Sequence, residues 1–552
     1  AVDGFYGFNG PTWFVNPVRA NLDALMDFSC PDILFTLSPS SSLTPYLIVT
    51  LFQQGTMKVA WLAIAAVAVA QQAHLGSEGV IQGHKAVQNP SVTEWLGVPY
   101  AQPPVGQLRF APPQAYTPRG LHVASEYCMY SVSKLVNYPD KTPQFDSIFE
   151  AFAAINNNTQ SEDCLTLNIW SKQDSSRLKP VYVHFYGGRW TSGTTDTLFY
   201  YGGGFADAED VIVVTVNYRM NIFGFPGLPG HPPNLGLLDQ RLAVEWVKQN
   251  IRAFGGDPDR ITISGQSCGS ASVDYWAYAY PSKPLVAGLI SHSGTALSFP
   301  TNNKTTAASH WYAVSSQIGC GSSGDVLSCM RKQNASAILA AASAVKVPTT
   351  NPARKAPAFQ PTVDGITVFE NYTLLSQQGK FARIPYLVGH NANEAGFYKI
   401  AAYAQGSILT DQQWDDFNMQ TFFCPSNLEA ADRSRRRTPA WRFQYNADWD
   451  NTRLYPTSGA YHGVEFNMIF GESAEITGIA ESNAQCQLQD KMRSAWGAFV
   501  ADPEHGLKDL GWPTYNPAAS TLAEIGLNND PSVSFVGTKD SAQRCATLLA
   551  QL

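Results

Sequence analysis

The apolar positions in the middle of the chain fall into two kinds of run. Val211-Ile212-Val213-Val214-Thr215-Val216 is uninterrupted and β-branched, as expected of a strand buried on both faces. Val181 to Phe185 has the same character. Between Leu238 and Ile251 the apolar residues instead fall four apart: Leu238 with Leu242, Leu242 with Trp246, Ala243 with Val247, Val247 with Ile251. That spacing predicts a helix with a wide buried face. Gly255-Gly256-Asp257-Pro258 stops it, and Arg260-Ile261-Thr262-Ile263 begins another strand. Strand, helix, strand in this order predicts an α/β fold with a parallel sheet and right-handed crossovers. Past residue 300 the pattern is irregular. No linker, repeat or second composition regime follows Gln71, so one large domain over 71–552 is the simplest expectation.

Upstream of that domain the pattern changes. From Met57 the chain reads M-K-V-A-W-L-A-I-A-A-V-A-V-A, one positive charge and a short apolar run ending in Ala68-Val69-Ala70. That is the anatomy of a secretory signal peptide over 57–70. It is too short for a membrane span, which needs about 20 residues. Residues 1–56 precede it and are expected to be absent from a mature, secreted protein with no membrane anchor. Secretion suits the nine cysteines, most of which should then pair, and the four N-x-[ST] sequons at Asn157, Asn303, Asn334 and Asn371. No Cys/His cluster has metal-site spacing, and Cys320 to Cys329 lacks a second ligand pair for zinc. The net charge of −7, without a basic stripe, argues against nucleic-acid binding. The one basic run, Arg433 to Arg437 around Ser434, reads as a solvated loop.

Directly after the strand at Ile263 stands Gly265-Gln266-Ser267-Cys268-Gly269, the only G-x-S-x-G in the chain. A strand before it and a helix-competent Ala271 to Tyr280 segment after it predict a nucleophile turn: the glycines relieve crowding, and Ser267 meets a helix N-terminus that favours negative charge on a reacting oxygen. A serine nucleophile needs a base, and the base an orienting carboxylate, in the chain order serine, acid, histidine. Of ten histidines only His462 and His505 come late enough, and His505 sits in the turn-like Asp502-Pro503-Glu504-His505-Gly506. For the acid, Glu394 follows a strand at Ile384 to Gly389 by a short polar loop, His390 to Asn393. On spacing alone Asp364 competes, although Asp364-Gly365 is more naturally a turn. The loop Tyr186-Gly187-Gly188-Arg189-Trp190 after the strand at Val181 would supply oxyanion-binding amides together with that of Cys268. Each such donor is typically worth about 3 kcal/mol of barrier.

From roughly Gly79 onward the sequence resembles the type-B carboxylesterase/lipase family, the group that includes cholinesterases and fungal lipases. The matching motifs are Leu96-Gly97-Val98-Pro99-Tyr100-Ala101, Pro103-Pro104-Val105-Gly106, Ser161-Glu162-Asp163-Cys164-Leu165-Thr166-Leu167-Asn168-Ile169-Trp170, Val216-Asn217-Tyr218-Arg219, Asn234 to Arg241, and Phe254-Gly255-Gly256-Asp257-Pro258. The resemblance implies an α/β-hydrolase fold and a serine esterase with Ser267 as nucleophile, Glu394 as acid and His462 as base. It implies oxyanion amides at Gly188, Arg189 and Cys268, with Ser293 and Glu465 supporting the histidine. It also implies disulfides Cys128–Cys164, Cys320–Cys329 and Cys424–Cys545, which leave over Cys30, Cys268 and Cys486, and a structural Arg109–Glu162 ion pair. The partner is a small ester, and neither metal nor cofactor is called for.

Two residues depart from the family pattern. Arg189 replaces the usual third glycine of the oxyanion loop, so its side chain has to point away or line the pocket, where it would admit anion-bearing esters. Cys268 replaces the usual alanine after the nucleophile and offers a thiol to alkylating reagents. Residues 129–163 contain no Trp, which argues against a cholinesterase. Tyr130, Tyr138, Phe145, Phe149 and Phe152 in that stretch fit either an apolar site wall or core. A triacylglycerol lipase and a non-catalytic binding protein that has lost its triad are the competing expectations; all three triad positions are present.

Overall fold

The apolar runs become the centre of a thirteen-stranded sheet. The computed structural model describes residues 50–53, 56–59, 71–75, 79–116, 120–122, 127–129, 135–153, 160–173, 177–348, 353 and 355–549. All of these lie in one compact unit, Thr44–Leu552. The site is carried by strands β1 (Lys179–Phe185), β2 (Ile212–Val216), β3 (Gly256–Gln266), β4 (Gly288–His292), β5 (Tyr386–Asn391), β6 (Ala440–Tyr445) and β7 (Leu522–Ile525). They lie side by side in the order β2-β1-β3-β4-β5-β6-β7, every pair parallel. Antiparallel strands extend both sides: Thr166–Lys172 pairs with β2 and Val533–Val536 with β7.

From β1 the chain passes to β2 on one side, then returns to β3 on the other. In open α/β sheets such a switch point opens a crevice at the carboxyl ends of the strands. Here it sets the loop after β1 beside the turn after β3.

Helix α1 (Leu235–Asn250) begins three residues before Leu238, and Leu238 and Leu242 are only half-buried. Ala243, Trp246, Val247 and Ile251 are buried as the spacing predicts, and the buried face continues through Leu235 and Asp239. Asp239 is fully buried and accepts from Arg219 Nε at 2.8 Å and Nη2 at 2.7 Å. An apolar count cannot include that position. β3 likewise starts inside the expected breaker: Gly256 pairs with Lys179, and after an irregularity the ladder resumes at Val181 with Ile261.

Among the described residues the pairs Cys128–Cys164, Cys320–Cys329 and Cys424–Cys545 form disulfides. Cys486 is disulfide-bonded as well and so is not left over; Cys268 is the free cysteine among the described residues. Arg109 donates to Glu162 through Nε at 2.6 Å and Nη2 at 2.5 Å. Among the sequons, Asn303, Asn334 and Asn371 are exposed, and each accepts backbone N–H groups at the start of a helix. Asn157, Tyr130 and Cys30 lie outside the described residues, as do 1–49 and 60–70 of the N-terminal segments. Thr56–Val59, at the start of the signal-like stretch, pairs with Thr50–Gln53 in a hairpin.

The basic run is not a solvated loop at its first residue. Arg433 lies in the last turn of a helix, Cys424–Arg435, and is fully buried. Its guanidinium donates to Asp274 at 2.6 Å and to Glu429, and lies 4.1 Å from the centre of the Tyr386 ring. Burial pushes Glu429 up to about 7, while the guanidinium draws it down. Arg435, Arg436 and Arg437 are exposed, as the run suggests. The partner Asp274 sits on α2 (Cys268–Ala279), the helix that follows the G-x-S-x-G turn. This cluster therefore ties that helix to Cys424–Arg435.

Arg433→Met should lower the unfolding free energy by about 3–5 kcal/mol, the cost of stranding buried charge. Without the cation, Asp274 and Glu429 hold their protons to higher pH in the folded state than in the unfolded one. The deficit is then smaller below the unfolded carboxyl range and grows as pH rises. Urea denaturation at about pH 5 and about pH 8 checks it; equal deficits would show that the carboxyls do not depend on Arg433.

Candidate active site

β3 ends at Gln266, and the chain turns into α2 through Ser267, whose φ of 57° and ψ of −120° are rare for a residue with a side chain. Its flanking glycines permit this. A Cβ on Gly265 would lie 2.2 Å from Gly269 O, and one on Gly269 would lie 2.1 Å from Phe185 O. The turn is held on both sides: Ser267 N donates to His292 O at 2.8 Å, and Ser267 O accepts from Ala271 N at 2.9 Å.

Two strands away, β5 ends at Asn391, and Glu394 leads helix α3 (Ala395–Ala404). The Glu394 carboxylate is fully buried. Its Oε1 accepts from Ser293 Oγ at 2.6 Å and Asn391 N at 2.7 Å; its Oε2 faces His462 Nδ1 at 2.5 Å. A carboxylate at Nδ1 assigns the proton there and leaves Nε2 as an acceptor. Nε2 faces the Tyr398 hydroxyl at 3.3 Å. Ser267 also hydrogen-bonds the Tyr398 hydroxyl, which burial holds neutral, above its ordinary pKa. Among the described residues no hydrogen bond joins Ser267 directly to His462. Both line one cavity of about 970 Å³, including its open mouth, with Gly188, Arg189 and Tyr398.

Among the described residues neither Ser293 nor Glu465 hydrogen-bonds His462, so any support they give it is indirect. Ser293 acts on Glu394, whereas Glu465 Oε2 accepts from Asn391 Nδ2 at 2.5 Å and Oε1 meets His292 Nδ1 at 3.2 Å. His292 Nε2 in turn accepts from Trp496 Nε1 at 2.9 Å. This chain buttresses the carboxylate through Asn391. The competing residues lie elsewhere. Asp364 accepts the amides of Ile366, Thr367 and Val368 as a turn former, and His505 is exposed beside Asp502.

In the loop after β1, Arg189 and Trp190 have φ of 58° and 56°. Trp190 N donates to Cys268 Sγ at 3.1 Å, and the Arg189 amide also faces that sulfur. The Gly188 and Cys268 amides have no acceptor among the described residues. Cys268 is buried, which pushes its thiol up to about 11. That removes the expectation of easy alkylation, since the thiolate is the reactive form.

A turn-borne serine beside a carboxylate–histidine pair suits acyl transfer, and comparison with known proteins agrees. Residues 70–421 match the model of the Carboxylesterase family. The chain belongs to the carboxylesterase family. It is a carboxylic ester hydrolase of the α/β-hydrolase fold. It is 36% identical over 441 residues to a chlorogenic acid esterase of Aspergillus niger, covering 78% of this chain and 82% of that protein. It is 31% identical over 500 residues to secreted lipase 5 of Gibberella zeae, covering 84% and 92%. To the para-nitrobenzyl esterase of Bacillus subtilis it is 29% identical over 486 residues, covering 81% and 94%.

Within this carboxylesterase the residue that sequence reading missed is Tyr398. It stands four residues after Glu394, one helical turn on, so both face the same way. That spacing was the available signal. The aromatic residues near the first disulfide divide between the two expectations: Phe149 and Phe152 line the Ser267 cavity, while Phe145 is fully buried and stacks on Phe149 at 5.6 Å.

The Tyr398 hydroxyl occupies the place at Nε2 that a base keeps for its proton donor. Tyr398→Phe should therefore leave kcat/KM on a short neutral ester within about threefold of wild type or raise it, as steady-state kinetics would show. A fall beyond about tenfold would mean that the hydroxyl relays the proton.

Proposed function

We propose that this enzyme cleaves small or apolar esters through a Ser267–His462–Glu394 triad and an acyl-enzyme intermediate. The observation that carries the reading is the buried Glu394–His462 pair opening on the same cavity as Ser267. His462 Nε2 takes the Ser267 proton as Oγ attacks the ester carbonyl, after a side-chain rotation that brings Oγ from Tyr398 to Nε2; free enzymes often hold such bonds long or misaligned. Glu394 keeps the imidazole oriented and stabilises its positive form. The amides of Gly188 and Cys268, and of Arg189 once it leaves the Cys268 sulfur, stabilise the tetrahedral oxyanion. His462 returns the proton to the departing alcohol, then activates the water that releases the acid.

Aromatic walls at Phe149, Phe152 and Phe397 support short or aromatic arms over long flexible chains. The mature enzyme in this reading is the domain 71–552, exported by the 57–70 segment. The disulfides and a relative named as secreted support that place. Glycans on Asn303, Asn334 and Asn371 are compatible with their capping role, because the cap uses Oδ1 and a glycan occupies Nδ2.

Ser267→Ala should fold normally and lose turnover by on the order of 10⁶-fold, and Glu394→Gln by about 10⁴-fold. Rates on a short-chain 4-nitrophenyl ester measure both. Turnover retained in Ser267→Ala would remove the serine from the chemistry.

A further inference from the structure

Adjoining the Ser267 cavity is a second, smaller one of about 420 Å³, including its open mouth. The two share Arg189 and Tyr398 in their walls. Trp190, Phe299 and Phe417 give the second cavity flat apolar sides, and Lys355 stands at its exposed rim. No Asp or Glu is among the described residues that line it.

The Arg189 side chain has no hydrogen bond and no ion pair among the described residues, although it is part-buried. Among the described residues the other fully buried guanidinium groups all have hydrogen-bond acceptors: Arg219 has Asp239, Arg433 has Asp274 and Glu429, and Arg442, without a carboxylate, has Asn427 Oδ1 and Phe423 O. Desolvation lowers the Arg189 pKa, and the groups that oppose this are the Tyr398 hydroxyl and the Cys268 thiol, both held protonated by burial. Its backbone also sits at a positive φ, a conformation that side-chain-bearing residues rarely adopt. A strained, desolvated, unpaired cation has unused capacity for an anion.

Resting on the esterase reading above, we propose that Arg189, with Lys355 at the rim, binds a carboxylate carried by one arm of the ester substrate. The aromatic walls hold the short apolar part of that arm, and the guanidinium holds its charged end. The ester carbonyl then lies at Ser267 in the adjoining cavity. The preferred substrate class is an ester with a free carboxylate on its acyl or its alcohol side, and the second cavity selects for it.

The test measures a ratio, kcat/KM for a charged ester over that for a neutral one of similar size. On the acyl side the pair is 4-nitrophenyl hemisuccinate and 4-nitrophenyl butyrate. On the alcohol side it is 4-acetoxybenzoate and phenyl acetate. In one of the two pairs Arg189→Gln should lower the ratio by about tenfold or more. Lys355→Gln, an exposed position that does not endanger folding, should lower it by about two- to fivefold. The wild-type ratio in that pair should also fall as salt is raised, since the rim charge is screened. The pair that responds identifies the arm. Ratios unmoved by both substitutions in both pairs, while wild type still hydrolyses the neutral esters, would overturn the anion site and leave the esterase reading standing. Failure of wild type on all four esters would instead overturn the reading beneath it.

Discussion

Packing at a single turn decides where everything else in the site can be. β3 delivers Ser267 to the sheet edge, and α2 leaves at so sharp an angle that the backbone of Gly269 lies against that of Phe185 and Gly265. No side chain fits at either glycine. The reward is a serine in a strained conformation, raised above the sheet at a helix N-terminus. Because Phe185 is the last residue of β1, the same close approach fixes the Gly187 to Trp190 loop beside the serine. The switch in strand order is the topological form of this constraint, and the contact between backbones is its physical form.

The carboxylate side of the site depends on burial. Glu394 has no exposure, so each of its oxygens needs a partner, and Ser293, Asn391 and His462 supply them. Asn391 is itself held by Glu465, whose other oxygen meets His292. Three consecutive strand ends, of β3, β4 and β5, thus contribute Ser267, His292 with Ser293, and Asn391. The imidazole comes from the turn that precedes the helix at Phe466, and the fixed carboxylate sets its orientation. Two turns into α2, the Asp274–Arg433–Glu429 cluster ties the helix to Cys424–Arg435.

Much of this was legible in the sequence where local pattern and local structure coincide. The β-branched run at 211–216 and the Gly265 to Gly269 turn are set by neighbours in the chain, and their elements fall where the pattern puts them. The family motifs extended that to His462 and Glu394, which lie far apart in sequence. What stayed hidden depends on partners brought in by the fold. Arg433 looks solvated beside Arg435 to Arg437, but its partner Asp274 is 159 residues away. Asp239 interrupts an apolar face because Arg219 reaches it from a loop. Tyr398 reads as an ordinary core aromatic until His462 is set against its hydroxyl. The same holds for Arg189: its identity was visible, whereas its lack of a partner and the cavity beside it emerge only from the packed structure.

The central claim is that Oγ of Ser267 forms the covalent bond to the substrate's acyl group. Reaction of the folded protein with a fluorophosphonate, followed by peptide mapping in a mass spectrometer, addresses that atom directly. The account predicts a single adduct on the peptide containing Gly265 to Gly269, localised to Ser267, with activity lost in proportion to labelling. A stoichiometric adduct on another residue, or an unlabelled protein that still hydrolyses esters, would contradict it.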